Sequence, residues 1–145
     1  MPFALHTTID INAPPARVWE ILTDFPRYPE WNTFLRTMRG RPAVGEHLRM
    51  FIVSGRQRMP FRTRVLVADP GRELRWIGHL VIPGLFDGEH SFTLEPIDNT
   101  GTHFHQDEEF HGILIPLLRR TLQTDALRSF EEMNAALKAR AESSG

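Results

Sequence analysis

The sequence predicts an α+β fold: one curved antiparallel sheet of about seven strands wrapped around a long C-terminal helix, with two short helices after the first strand. Three observations carry this expectation. Between Leu35 and Gly112 the punctuation is short-range, and "GRPAVG", "SGRQ", "ADPGRE", "IPGL" and "IDNTG" separate segments of strand length, as a meander requires. Those segments alternate apolar and polar residues, so one sheet face is dry and the other wet. After Gly112 the apolar period changes from two to three or four. A sheet and a helix with one apolar face each bury both by packing together.

The elements follow in order. Phe3, Leu5, Ile9 and Ile11 alternate with polar residues, which is a strand. Asn12 is placed to cap a helix that "PPARVWEILTD" forms, with prolines where a first turn tolerates missing donors and Val18, Trp19, Ile21 and Leu22 on its apolar side. The two prolines of "DFPRYPEWN" exclude one long helix and leave a turn or short second helix. Strands are expected near 35–40, 46–54, 58–68, 73–82, 85–95 and 102–112. On the dry face lie Phe61, Thr63, Val65 and Val67, then Leu74, Trp76, Gly78 and Leu80, then Phe86, Gly88, His90, Phe92 and Leu94. Gly78 and Gly88 are expected to leave space there. Leu118, Leu122, Ala126, Phe130, Met133 and Leu137 form the stripe of a helix near 114–141, followed by the loose tail "ESSG". No linker, repeat or low-complexity block interrupts the chain, so residues 1–145 read as a single domain.

Composition narrows the function. A chain of 145 residues is long enough to bury about 70% of its unfolded surface. A net charge of −1 gives no field that recruits nucleic acid or an anionic membrane. The apolar runs are too short for a stable membrane insertion, and Met1–Leu5 lacks the pattern of a signal peptide. The absence of cysteine excludes disulfides, thiol catalysis and thiolate metal sites, and fits a reducing compartment. The expectation is a cytoplasmic monomer or small homo-oligomer without a cofactor. No phosphate-binding glycine loop or Gly-x-Ser-x-Gly elbow occurs.

The stretch "THFHQDEEFHG", residues 102–112, poses the chemical question. One face carries Phe104, Gln106, Glu108 and Phe110, and the other His103, His105, Asp107, Glu109 and His111. The turn "PIDNTG" places Leu94 near Phe104, Phe92 near Gln106 and His90 near Glu108, and "IPGL" places Trp76 near His90. Trp76, His90 and Glu108 then form a row on the concave face, with Gln106 one step away. Two readings stay open: His90 and Glu108 satisfy each other as a buried pair, or they face a cavity and orient a ligand's polar end. His103, His105 and Glu109 resemble part of a cupin metal string, but the rest of that pattern is missing. They fall on the wet face, where no further ligand is expected to converge, so no metal is expected.

Several stretches resemble the START-like or SRPBCC superfamily, especially its polyketide cyclase/dehydrase-like branch: "IDINAPPARVWEILTDFPRYPEWNTFL", "GEHSFTLEP", and "THFHQDEEFHG" running into the final helix. The resemblance implies a helix-grip fold with a cavity between sheet and long helix, usually for an apolar or aromatic small molecule. Its members include lipid carriers, hormone receptors, cyclases and chaperone cofactors. The expected function is binding of a hydrophobic (aromatic, polyketide-like or acyl) small molecule. The residues expected at the ligand are Trp76, His90, Phe92, Gln106, Glu108, Phe61, Phe104, Phe110, Leu118 and Leu122. The alternative is a cyclase, dehydrase or isomerase with Glu108 and His90 as acid–base groups.

Overall fold

The computed structural model describes residues 3–143. Seven antiparallel strands form one sheet in the order β1-β7-β6-β5-β4-β3-β2. They are β1 (Phe3–Ile11), β2 (Leu35–Arg39), β3 (His47–Ser54), β4 (Gln57–Asp69), β5 (Glu73–His79), β6 (Asp87–Ile97) and β7 (Gly101–His111). Helix α1 (Pro15–Thr23) and a 3₁₀ helix (Phe25–Glu30) follow β1. A 28-residue helix ends the chain: α2 (Ile115–Thr121), one wide π turn (Leu122–Ala126) and α3 (Leu127–Glu142). This is the expected α+β helix-grip architecture. No helix among the described residues is long and apolar enough to cross a membrane. The tail leaves the helix at Ser143 with extended backbone; its last two residues, like Met1 and Pro2, lie outside the described residues.

Two local expectations need correction. Asn12 does not cap α1, which starts at Pro15 behind Pro14 without a side-chain cap. Pro15 has no amide hydrogen to satisfy, and Pro14 O takes the amides of Arg17 and Val18, so a polar cap has less to do. The amide of Asn12 instead donates to Glu142 at 2.7 Å, tying the end of α3 to the end of β1. In β4, Val67 does not share the inner face with Val65. A bulge shifts the register, so that Val65 opposes Trp76 while Val67 opposes Arg75 and Ala68 opposes Leu74. The extra residue turns Val67 outward and brings Ala68 in.

The π turn has a readable cause. The stripe Leu118, Leu122, Ala126, Phe130 steps by four, which on a 3.6-residue turn drifts about 40° per step. One wide turn resets the phase and keeps Leu122, Ala126 and Phe130 all buried against the sheet. Nearby carbonyls are taken by hydroxyls: Thr124 donates to Arg120 O at 3.0 Å, and Ser129 to Asp125 O at 2.9 Å.

The β5–β6 connection, residues 80–86, borders the open end of the sheet. Asp87 latches it, accepting from His79 Nδ1 at 2.7 Å and from the Gly84 amide at 3.0 Å. Burial pushes the Asp87 carboxyl up, but those two hydrogen bonds and the charges of His79 and His111 outweigh burial and hold it below the usual carboxylate range. A depressed carboxylate contributes stability above its unfolded value, about pH 4, that disappears as pH falls through the lower folded value. The amide protection of Leu80, which donates to Phe86 O, should therefore decline below about pH 4 in hydrogen exchange. Asp87→Asn should flatten that decline; an unchanged profile would assign the loss to another group.

Candidate functional site

The expected register is present: Trp76 opposes His90, His90 opposes Glu108, Phe92 opposes Gln106 and Leu94 opposes Phe104. Because facing repeats every two residues, this register sends His90, Gln106 and Glu108 to the concave side together. There they begin a hydrogen-bonded chain that crosses the core. Glu108 Oε1 lies 3.0 Å from His90 Nδ1, and Gln106 Oε1 lies 2.9 Å from His90 Nε2. Gln106 Nε2 donates to Asn134 Oδ1 at 2.7 Å and to Phe130 O at 3.2 Å. Asn134 Nδ2 donates to Thr7 Oγ1 at 2.8 Å, and Thr7 donates to Gln106 O at 2.7 Å.

Every link but one has its proton direction determined. The Gln106 amide nitrogen is engaged as a donor, so its oxygen faces His90 and Nε2 of that imidazole carries a hydrogen. What remains is the 3.0 Å bridge between Nδ1 and Glu108 Oε1. Two lone pairs do not bond, so that bridge holds one proton, either on the imidazole or on the carboxyl. Glu108 Oε2 has no partner among the described residues and lies over Gly88, where a Cβ would come within 2.1 Å of it.

A cavity of about 120 Å³ sits between sheet and helix beside this carboxylate. Its apolar wall includes Phe34, Phe61, Phe86, Phe110, Leu122 and Phe130; Glu108 and Asp125 are its acidic residues. Of the residues expected at a ligand, Phe61, Glu108, Phe110 and Leu122 line it. Trp76, His90, Phe92, Gln106 and Phe104 are buried behind the wall instead. Their rings are packed, with His90 4.7 Å from Phe92 and 5.5 Å from Trp76, and Phe92 5.9 Å from Phe104. The cause is the helix: Phe130 sets its ring 5.0 Å from His90 and 5.3 Å from Phe34, closing the middle of the groove. The open space is displaced toward the β3–β4 turn and the π turn. Leu118 is half-buried against the core and does not reach it.

Phe34, Phe86 and Phe130 escaped the sequence-derived set. Phe34 falls in a connection, where no periodicity reports facing, whereas Phe86 stood on the expected dry face and Phe130 in the helix stripe, and both were readable as wall residues. The glycines act opposite to expectation. A Cβ on Gly78 would meet Phe61 Cε2 at 2.2 Å, so the space beneath each glycine is occupied, by the Phe61 ring and by the Glu108 carboxylate. Gly88→Ala should therefore fold, because only the free end of Glu108 must move, and should weaken ligand binding by displacing that carboxylate. Isothermal titration of Gly88→Ala against the parent checks this; equal affinities would mean Glu108 Oε2 is not at the ligand.

On the outer face the groups that converge differ from the expected set. Glu109 does not join His103 and His105, since it opposes Glu89 and Ala4. Glu95 does, and one ligating atom from each of Glu95, His103 and His105 lies within 4.8 Å of the others. A third group thus converges after all, contributed by a neighbouring strand. Each imidazole already holds a carboxylate, His105 with Glu95 at 2.6 Å and His103 with Asp10. Glu95 is exposed and both histidines are half-buried at the surface, where a divalent ion competes with water and with those pairs. Purified protein is expected to carry no stoichiometric zinc or iron. Elemental analysis near one metal per chain, lost in a His103→Ala/His105→Ala variant, would contradict this.

A family model described as polyketide cyclase / dehydrase and lipid transport matches residues 2–142. No curated protein matches the sequence. Among solved structures, the Zhui aromatase/cyclase of Streptomyces sp. R1128 superimposes with a TM-score of 0.81 at 16% identity, covering 98% of this chain and 94% of that one. A START superfamily protein of Mycobacterium smegmatis gives 0.75 at 21%, covering 96% and 97%. Norcoclaurine synthase of Thalictrum flavum, in complex with dopamine and hydroxybenzaldehyde, gives 0.72 at 12%, covering 99% and 90%. At these identities the likeness is one of fold.

Proposed function

The chain belongs to the polyketide cyclase / dehydrase and lipid transport family, and from that premise we propose that it holds a small aromatic molecule in the cavity between sheet and C-terminal helix. The observation that carries this reading is the lining: aromatic walls around one oriented carboxylate, Glu108. Apolar walls with few fixed polar groups are what ligand sites generally have. Size selects within the class. At about 120 Å³ the cavity is of single-ring size, since an apolar cavity of roughly 150 Å³ accepts benzene. The fold neighbour norcoclaurine synthase, in complex with dopamine and hydroxybenzaldehyde, supports aromatic occupants that each carry one ring. A longer polyketide-like or acyl chain would have to extend beyond this space.

A solvatochromic apolar probe is the test. It should bind at one site per chain, and Ala126→Phe or Leu122→Trp should abolish binding while the thermal transition remains cooperative. Unchanged affinity in both variants would place the probe elsewhere and sink the reading.

The one-proton bridge favours a second reading, proton transfer in a cyclase, dehydrase or isomerase. Glu108 would take or give a proton at the ligand while His90, held by Gln106, supplies or accepts the compensating one across Nδ1. Buffer-independent exchange of an acidic carbon-bound hydrogen on a bound ketone, absent in Glu108→Gln, would favour this reading over simple binding.

A further inference from the structure

We propose that Phe61 gates an entrance to the cavity, and that arginines outside it hold the anionic end of a ligand whose ring lies within. This rests on the cavity-binding reading and adds the ligand's charge and route. The entrance is a gap in the sheet. Pairing of β4 with β5 begins at Thr63 opposite Gly78, and beyond it Leu80 donates to Phe86 O rather than to β4. The stretch 57–62 of β4 therefore has an open side, where Pro60 has no amide to offer. A slot of about 430 Å³ occupies this gap, bordered by Arg49, Pro60, Phe61, Arg62, His79 and Val81.

Phe61 borders both the slot and the inner cavity. Its ring rests on Gly78, in space a side chain there would take, and it is only half-buried. Turning the ring aside joins spaces of about 120 and 430 Å³. The joined space reaches the size usual for small-molecule sites, roughly 300–1,000 Å³, which the inner cavity alone does not. The far wall of the slot is already strained: Val81 is β-branched, 84% exposed, and held at φ 68°. Buried Thr63, beside Phe61 and Gly78, has a hydroxyl without a partner among the described residues, a polar group available to a molecule passing the ring.

The charge of the slot selects the ligand. Arg39, Arg49 and Arg62 stand in one cross-strand row, Arg39 opposite Arg49 and Arg49 opposite Arg62. All three are exposed, and none lies within ion-pair distance of a carboxylate among the described residues. Like charges directly opposite repel, so the row is an uncompensated cation that a bound anion relieves. His79 engages its Nδ1 with Asp87, leaving Arg49 and Arg62 as the forks available to a carboxylate or phosphate at the slot. The fitting molecule is a ring joined by a short apolar spacer to one anionic group.

Calorimetry with 6-phenylhexanoate and its neutral isostere 6-phenylhexanamide tests this. The acid should bind the unaltered protein about tenfold more tightly than the amide, with a preference that fades as salt is raised. In Arg49→Ala/Arg62→Ala the acid should lose its preference over the amide, because the charge it needs is gone. Phe61→Ala should accelerate entry and exit of both ligands at least about tenfold in stopped flow, with the acid preference kept. Equal binding of acid and amide, or a preference that survives the double variant, overturns the anion site while leaving the cavity reading intact. Unchanged rates in Phe61→Ala overturn the gate. Binding of neither ligand removes the cavity reading, and this proposal with it.

Discussion

Gln106→Leu is expected to lower the unfolding free energy by roughly 3–5 kcal/mol, because it leaves buried polar groups without partners. The leucine side chain nearly matches the volume it replaces, so the loss is one of hydrogen bonding rather than of a cavity. Gln106 is fully buried and binds His90 Nε2, Asn134 Oδ1 and Phe130 O. Each orphaned buried donor or acceptor costs about 1–3 kcal/mol, and Leu orphans at least His90 Nε2–H and Asn134 Oδ1. Gln106 also joins β7 to α3, so the sheet and the helix loosen together. At about 2–4 °C per kcal/mol for a chain of this size, the melting temperature should fall by about 6–20 °C. Asn134→Leu should couple to it: the double variant should lose clearly less than the sum, since both break the same chain. A loss below about 1 kcal/mol for Gln106→Leu would show that the chain is satisfied some other way, for instance by water.

Glu108→Gln should separate function from folding at the same site. His90 Nε2–H stays with Gln106, so neutral His90 presents a lone pair at Nδ1, which the new amide nitrogen can fill. The hydrogen bond survives, and stability should shift by roughly 1 kcal/mol or less. A buried carboxylate–imidazole pair is itself a modest stabiliser, because desolvation offsets much of the attraction. The mobile proton and the charge beside the cavity are gone, however. Ligand affinity, or turnover if the site is catalytic, should drop by at least about tenfold, equivalent to ~1.4 kcal/mol. A large fall in melting temperature with ligand binding untouched would make Glu108 a structural partner and end its assignment to the site. The contrast with Gln106→Leu is the informative part: neighbouring residues of β7, one carrying stability and the other carrying function.

Much of this was legible in the residues. Alternation from Phe3 to Ile11 and from Gly101 to His111, with turns such as "PIDNTG", was enough to set the strands, their register and the pairing of His90 with Glu108. These are local properties: period two assigns facing, and a turn of known length assigns partners. The spacing of Leu118, Leu122, Ala126 and Phe130 predicts one long helix, and only the helix docked on the sheet shows the wide turn that resets its phase. Tertiary structure alone decided the rest. It set the Phe130 ring over His90 and so moved the open space from Trp76 and Phe92 toward Phe61 and Leu122. It filled the room beneath Gly78 and Gly88, turned Val67 outward at a bulge, and brought Glu95 to two histidines of another strand. Such outcomes depend on which rotamers interlock across elements far apart in the chain, and no periodicity within one element records them.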